Sequence, residues 1–209
     1  YLYYNENMKT VPRLIDTFTP NHYTLTLDLT RAEEKSFSGT VIISGESTGE
    51  STGESISLHS KELTIQSVTI DNQPAEFSHC EFDELRLSRP ELSSDQHTIR
   101  IEFSGAITDA MHGLYPCYFT HDGVKKQLFA TQFESHHARE VFPCVDEPAA
   151  KATYDVTLVT APELTVLSNM PVTESSEKDG ALTTKFATTP RMSSYLLAFV
   201  VGELHKKTA

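Results

Sequence analysis

The sequence is 209 residues long, 38% hydrophobic and 22% charged, which is typical of a globular protein with enough chain for a buried core. Its 17 basic and 29 acidic residues give a formal net charge of −12, which argues against nucleic-acid phosphates as partners. Three cysteines without a CxxC pair argue against a disulfide scaffold and favour a reducing, cytoplasmic location.

The chain start does not resemble a targeting segment. The stretch YLYYNENMKTVPR lacks the basic start and apolar run of a signal peptide, and no later run reaches the roughly 18 apolar residues of a membrane helix. We interpret residues 1–8 as an added tail or an unordered start, and residues 9–209 as one β-rich domain. No membrane partner is expected.

The first half of the chain alternates apolar and polar residues with a period of two, which predicts half-buried strands. In HYTLTLDLTR, Tyr23, Leu25, Leu27 and Leu29 share one face. Further strands are predicted at FSGTVIISGE, SISLHS, LTIQSVTID, ELRLS and HTIRIEFSG. The phase break between Ile65 and Val68 predicts a bulge or bend. DNQP is predicted to be a turn, and the repeat GESTGESTGE from Gly45 a solvated hairpin extension.

The second half repeats this pattern in KKQLFATQF, TYDVTLVTA, LTVLSN and ALTTKFATT. SSYLLAFVVGE is apolar on both faces and predicts a buried central strand. DEPAAKA is the one candidate for a short helix, with Pro148 in its first turn. The fold class expected is all-β, mainly antiparallel, with ten or more strands in two or more sheets.

The usual catalytic and metal-binding motifs are missing from the sequence. It contains no HExxH, no HxH, no zinc-finger spacing and no GxSxG. His136 and His137 would point to opposite faces of a strand, so we expect them to be surface or hydrogen-bonded histidines rather than metal ligands. Cys144, between Pro143 and Pro148, is expected to be buried and structural rather than a nucleophile. The prediction is therefore no catalytic residue and no metal in this chain.

Two polar side chains at the end of one predicted strand remain as candidates. In ATQFE, Gln132 and Glu134 lie on one face and Phe133 on the other. An amide beside a carboxylate can hold a charged amine and a polar group, although most such pairs are only solvated.

Four separated motifs carry a resemblance to a known family. They are GLYPCYF, ATQFESHHAREVFPCVDEPAAKATYDVTLV, LSNMPV and RMSSYLLAFVVGEL, and they occur in the order and spacing of the N-terminal domain of the zinc-dependent aminopeptidases. That family includes aminopeptidase N, the puromycin-sensitive aminopeptidase and the leukotriene-A hydrolase. The similarity extends over most of residues 12–204.

The resemblance implies a large saddle-shaped β domain that caps a catalytic domain. It implies that Glu134 forms a salt bridge with the free α-amine of a peptide substrate and that Gln132 lies beside the first side-chain pocket. It also implies a cis peptide bond between Glu134 and Ser135. Arg139 and FPCVDEP would brace this segment. Zinc would belong to the catalytic domain of the complete enzyme, and the partners would be that domain and peptide N-termini.

Several features depart from the family pattern. The family's zinc motif and GxMEN loop are absent, Tyr154 stands where phenylalanine is common, and Pro116-Cys117 replaces a common Arg-Ser. The 209 residues alone are therefore expected to be inactive. Two functions remain open at this point: the N-terminal domain of a zinc aminopeptidase, or a free-standing β-sandwich that binds peptides or proteins without catalysis.

Overall fold

A computed structural model describes residues 11–47, 55–90, 92 and 96–204. These residues form fifteen β-strands and five single-turn 3-10 helices, so the all-β prediction is confirmed. Among them, no helix is long and apolar enough to cross a membrane. Residues 1–8, interpreted above as a tail or unordered start, lie outside the described residues, as does most of the GESTGEST repeat. The first residues of that repeat, Gly45 to Ser47, form the end of a strand.

The largest sheet has eight strands in the order β13-β14-β11-β1-β2-β8-β4-β5. Their bounds are β1 Phe18–Asp28, β2 Ser36–Ser47, β4 Thr64–Ile70, β5 Gln73–Pro74, β8 Gln96–Ala106, β11 Thr153–Thr160, β13 Val172–Lys178 and β14 Ala181–Phe186. All neighbours are antiparallel except β1 and β11, which run parallel with Tyr23 opposite Tyr154. This pair can be parallel because the long intervening chain supplies the crossover.

Two smaller sheets complete the fold. The four-stranded sheet has the order β12-β15-β10-β9, and the three-stranded sheet the order β3-β7-β6. The bounds are β9 Gly113–His121, β10 Val124–Gln132, β12 Thr165–Ser168, β15 Phe199–Gly202, β3 Ser55–His59, β6 Glu76–His79 and β7 Glu84–Ser88. The 3-10 helices are Leu14–Asp16, Ala32–Glu34, Glu81–Asp83, Ala138–Glu140 and Ser194–Leu196.

The alternation read from the sequence corresponds to one buried face of the large sheet. Tyr23, Leu25 and Leu27 are fully buried, while the residues between them are partly exposed. Because successive side chains of a strand point to opposite faces, the apolar set of each strand lies in one layer of the core. Tyr23 and Tyr154 stack in that layer, with ring centroids 4.9 Å apart.

The bulge predicted in LTIQSVTID and the turn predicted after it are both present, in β4 and between β4 and β5. The pairing of β4 with β8 shifts register between Ile65 and Ser67, where the sequence loses phase. Asp71 and Asn72 form the turn between β4 and β5, and both have positive φ, as a tight hairpin turn requires.

Two predictions for the second half were wrong in detail. DEPAAKA forms a single turn, closed by Ala150 N–H donating to Glu147 O, because the chain becomes extended at once to bridge Ala152 to Met192. SSYLLAFVVGE is not one strand: a 3-10 turn at Ser194–Leu196 precedes the short strand β15. The strand itself is central, between β12 and β10, as expected.

Candidate substrate-recognition site

The candidate residues lie at the end of the β9–β10 hairpin. Strand β10 ends at Gln132, which pairs with Gly113 at the start of β9. Gly113 has a φ of +65°, and a Cβ atom there would lie 3.0 Å from a carboxylate oxygen of Glu140. Glycine is therefore required both by the backbone conformation and by the close approach of that side chain.

Phe133 anchors this strand end in the core. Its ring is buried and makes edge contacts with Phe142 and Phe199, at centroid distances of 6.1 and 6.5 Å. The neighbouring Thr131 hydroxyl accepts a hydrogen bond of 3.0 Å from Phe199 N–H of β15. The backbone around Gln132 is thus held by packing on one side and by the sheet on the other.

Gln132 and Glu134 project from the anchored segment into solvent. Both are exposed, and Glu134 N–H donates to the Gln132 side-chain oxygen at 3.3 Å. Within the described part of the chain, no group donates to or pairs with the Glu134 carboxylate. The bond from Glu134 to Ser135 is cis, as the resemblance predicted. The structure therefore brings the two sequence candidates together and leaves the carboxylate accessible.

A buried ion pair lies behind this surface. The Asp146 carboxylate accepts hydrogen bonds from the backbone N–H and Nε of Arg139, both at 3.2 Å, and from Ser194 Oγ at 2.6 Å. The Asp146 side chain is 1% exposed and that of Arg139 11%. Because a buried carboxylate needs a charged partner and hydrogen bonds, this set fixes the segment that follows Glu134 against the helix at Ser194–Leu196.

The backbone of the same segment is fixed by His59 of β3. His59 and Cys144 exchange backbone hydrogen bonds of 2.7 and 3.1 Å, and His59 Nδ1 accepts from Asp146 N–H at 3.1 Å. Burial, with a smaller effect of the Arg139 charge, lowers the pKa of His59 to about 3, so the ring is neutral. Burial also raises the pKa of the Cys144 thiol well above its ordinary value, which fits the expected structural role.

The strand expected at His136 and His137 is absent from this part of the described structure. The two residues lie in a turn rather than a strand, and their rings stack with centroids 4.8 Å apart. His137 lies instead against His112 and Glu140, which sequence reasoning missed. No local signal connects His112 with His137, because the contact depends on the pairing of Gly113 with Gln132.

Among the residues that the structure describes, the histidines do not form the peptidase zinc motif that the resemblance implies. A zinc peptidase motif places two histidines one turn apart on a helix, with a glutamate between them. The described helices are single 3-10 turns, and none carries such a pair. His112 and His137 come from separate segments of the chain. No step of peptide hydrolysis is therefore assigned to residues of this chain.

The sequence of this chain matches one family of known proteins and several curated relatives. The family described as the peptidase M1 N-terminal domain matches residues 19–196. Aminopeptidase N of Lactococcus lactis subsp. lactis is 50% identical over 203 residues, 95% of this chain and 23% of its own length. The puromycin-sensitive aminopeptidase of Caenorhabditis elegans is 40% identical over 198 residues, 88% of this chain and 20% of its own length. The chain thus spans less than a quarter of the curated relatives it matches.

Proposed function

The chain belongs to the family of peptidase M1 N-terminal domains, and from this premise we propose that it is the substrate-recognising domain of a zinc metallo-aminopeptidase. The complete enzyme would remove N-terminal residues from peptides. In such enzymes zinc activates water and polarises the scissile carbonyl. The proposal assigns the zinc to a catalytic domain and α-amine recognition to this chain.

The observation that carries the proposal is the Glu134 carboxylate, which lies beside Gln132 and has no partner among the residues that the structure describes. A carboxylate on a rigid segment is ready to accept charge-assisted hydrogen bonds from an ammonium group. The burial of Phe133 and the Arg139–Asp146 pair hold that segment without using the Glu134 side chain. The Gln132 amide, next to it, can bond a polar group of the same ligand.

The four-stranded sheet offers a surface for the catalytic domain. Phe119, Val124 and Leu167 are exposed on three of its strands, and the strand register puts them on the same face as Gln132. Exposed apolar residues on one face favour burial against another surface. The sheet also carries Gln132, so a domain that covered it would lie close to the proposed recognition residues.

A cytoplasmic location is part of the proposal. All three cysteines are free thiols, and Cys144 is buried. Free thiols are the rule in reducing compartments and less common in secreted proteins.

Kinetics of the complete enzyme test the role of Glu134. The variant Glu134→Ala should lose about 10- to 100-fold in kcat/KM on free-amine peptides, because one charge-assisted hydrogen bond contributes about 1.5–3 kcal/mol. Glu134→Gln should lose a similar amount, since it keeps the shape but not the charge. N-terminally acetylated peptides, which lack the cation, should be poor substrates that the variants affect little.

Glu163→Gln serves as the matched control, because Glu163 is an exposed glutamate on the loop between β11 and β12. It should leave kcat/KM unchanged. Full efficiency of a folded, zinc-loaded Glu134→Ala enzyme on free-amine peptides would contradict the proposal.

A further inference from the structure

Two imidazoles and a carboxylate converge beside the recognition segment. His112 Nδ1 lies 2.7 Å from one Glu140 oxygen, and His137 Nδ1 lies 3.0 Å from the other. The two rings stack with centroids 4.1 Å apart. One ligand atom from each residue lies within 4.8 Å of the other two. We call this group the His112–His137–Glu140 cluster.

We propose that the His112–His137–Glu140 cluster is a binding site for a divalent transition-metal ion of the zinc type. This inference does not depend on the proposed function. Imidazole nitrogen with one carboxylate oxygen is a donor set that suits zinc and its neighbours and disfavours magnesium and calcium.

The spacing of the donors needs only a small adjustment: the histidine–glutamate contacts of 2.7 and 3.0 Å must lengthen, and donor pairs that are farther apart must close. Zinc bonds of about 2.0–2.1 Å in a tetrahedral site place ligand atoms about 3.4 Å apart. The donors here lie within 4.8 Å of one another, so side-chain rotations can close the site. Three protein ligands would leave one position for water or another small ligand.

The Glu140 carboxylate is partly shielded from solvent and lies among three nitrogen groups. Lys61 Nζ, His112 Nδ1 and His137 Nδ1 all lie within hydrogen-bond distance of its oxygens. The Glu140 side chain is 10% exposed. Coulombic attraction to a cation is stronger at such a site than at an open surface.

The Lys61 ammonium group would compete with a metal ion for the Glu140 carboxylate. The group donates to Glu140 at 3.0 Å, on the oxygen that His137 also contacts. The Lys61 side chain is 37% exposed, so it can move into solvent when a metal ion arrives. A bound dication would replace the ammonium charge next to Glu140. Removal of Lys61 should therefore strengthen metal binding.

The cluster is accessible from solvent. An open cavity of about 320 Å³ is lined by His112, Glu140, Lys61 and Gly113 among others, which gives a hydrated ion a route to the donors. A bound ion would connect the residue before β9 with the helix at Ala138–Glu140, and so would fix the segment that carries Glu134. The proposal differs from the expectation, drawn from sequence alone, that His136 and His137 are not metal ligands, because it assigns a donor to His137.

Titration of the 209-residue chain with Zn²⁺ by isothermal calorimetry tests the site. One equivalent should bind, and thermal unfolding should shift to higher temperature as Zn²⁺ is added, because the ion binds only the folded arrangement. His112→Ala and Glu140→Gln should each weaken the affinity at least about tenfold. Lys61→Met should strengthen it. Circular dichroism of each variant establishes that the fold is retained.

His136→Gln is the matched control, because the His136 ring stacks on His137 but its Nδ1 bonds Ser135 at 2.8 Å and is not one of the three donors. It should leave the affinity within about twofold. Absence of stoichiometric Zn²⁺ binding would overturn the proposal. So would an affinity that falls with His136→Gln while His112→Ala leaves it unchanged, since the ion would then bind the exposed turn.

Discussion

At the scale of single residues, two stacked tyrosines in the same core layer differ in one hydrogen bond. The rings of Tyr23 and Tyr154 are nearly parallel, with an interplanar angle of 6°. The Tyr23 hydroxyl accepts a hydrogen bond of 3.1 Å from Val145 N–H, whereas the buried Tyr154 hydroxyl has no partner within the part of the chain described. Of these two tyrosines, Tyr154 therefore carries the cost of an unsatisfied buried hydroxyl and Tyr23 does not.

The variant Tyr154→Phe should raise the free energy of unfolding by about 1 kcal/mol, because it removes an unpaired buried hydroxyl and keeps the stacked ring. The matched variant Tyr23→Phe should lower it by about 1–3 kcal/mol, since Val145 N–H would lose its acceptor. Urea unfolding of both variants measures the difference. Equal effects of the two substitutions would mean that an ordered water satisfies Tyr154.

Residue-scale predictions from sequence succeeded where the reasoning needed only strand alternation. Gln132 and Glu134 flank the inward-facing Phe133, so their shared exposure follows from the period of two. The contact of His112 with His137 could not be found that way. It depends on the register between β9 and β10 and on a turn where the reasoning assumed a strand.

At the scale of elements, the segment from Phe142 to Pro148 connects three parts of the fold without regular structure of its own. It bridges to β3 through His59, its Asp146 pairs with Arg139, and Ser193 Oγ donates to Pro148 O at 2.6 Å. These contacts come from separate elements, and the buried Asp146 carboxylate itself connects two of them, Arg139 and Ser194.

The variant Asp146→Ala should destabilise the domain by about 3 kcal/mol, because it removes the buried carboxylate and leaves the largely buried Arg139 with only the more exposed Asp83, at 3.4 Å. Glu174→Ala is the control: it removes an exposed ion pair with Lys185 and should cost less than about 1 kcal/mol. Denaturant unfolding monitored by circular dichroism measures both. A loss below 1 kcal/mol for Asp146→Ala would mean that the segment is held by packing alone.

Element types were predicted well from sequence, and element ends less well. Alternation identified the strands that contain Tyr23, Val41 and Ile101 because each buries one face. Alternation failed at DEPAAKA and SSYLLAFVVGE. The backbone conformation there follows from hydrogen bonds that Ser193 donates to Pro148 O and Ser194 donates to the Asp146 carboxylate. Such long-range bonds leave no periodic signal in the sequence.

At the scale of the whole molecule, one buried neutral histidine makes stability depend on pH. The ordinary pKa of His59 is 6.5, and burial lowers it to about 3 in the folded chain. Between these values the unfolded chain binds a proton at His59 that the folded chain does not. The contribution of neutral His59 to the free energy of unfolding is therefore fully present above about pH 6.5. It is lost progressively as the pH falls towards 3.

The free energy of unfolding should therefore fall by about 1.4 kcal/mol per pH unit in this range through His59 alone. His59→Asn, whose amide oxygen can still accept from Asp146 N–H, should make the pH dependence shallower by up to that amount. His79→Asn, at an exposed position on β6, is the control and should keep the wild-type slope. Urea unfolding at a series of pH values measures the slopes. An unchanged slope in His59→Asn would show that His59 does not govern acid sensitivity.

The parallel pairing of β1 with β11 has a consequence for biosynthesis. A nascent chain leaving the ribosome can pair β1 with β2 early, but the other edge of β1 has no partner until Thr153 to Thr160 emerge. About a hundred residues separate the end of β2 from the start of β11, which corresponds to roughly 5–20 seconds of translation. Throughout that interval an apolar strand with unpaired backbone groups is open to β-pairing with other chains. The topology thus leaves one edge of β1 unpaired for most of the time in which the domain is synthesised.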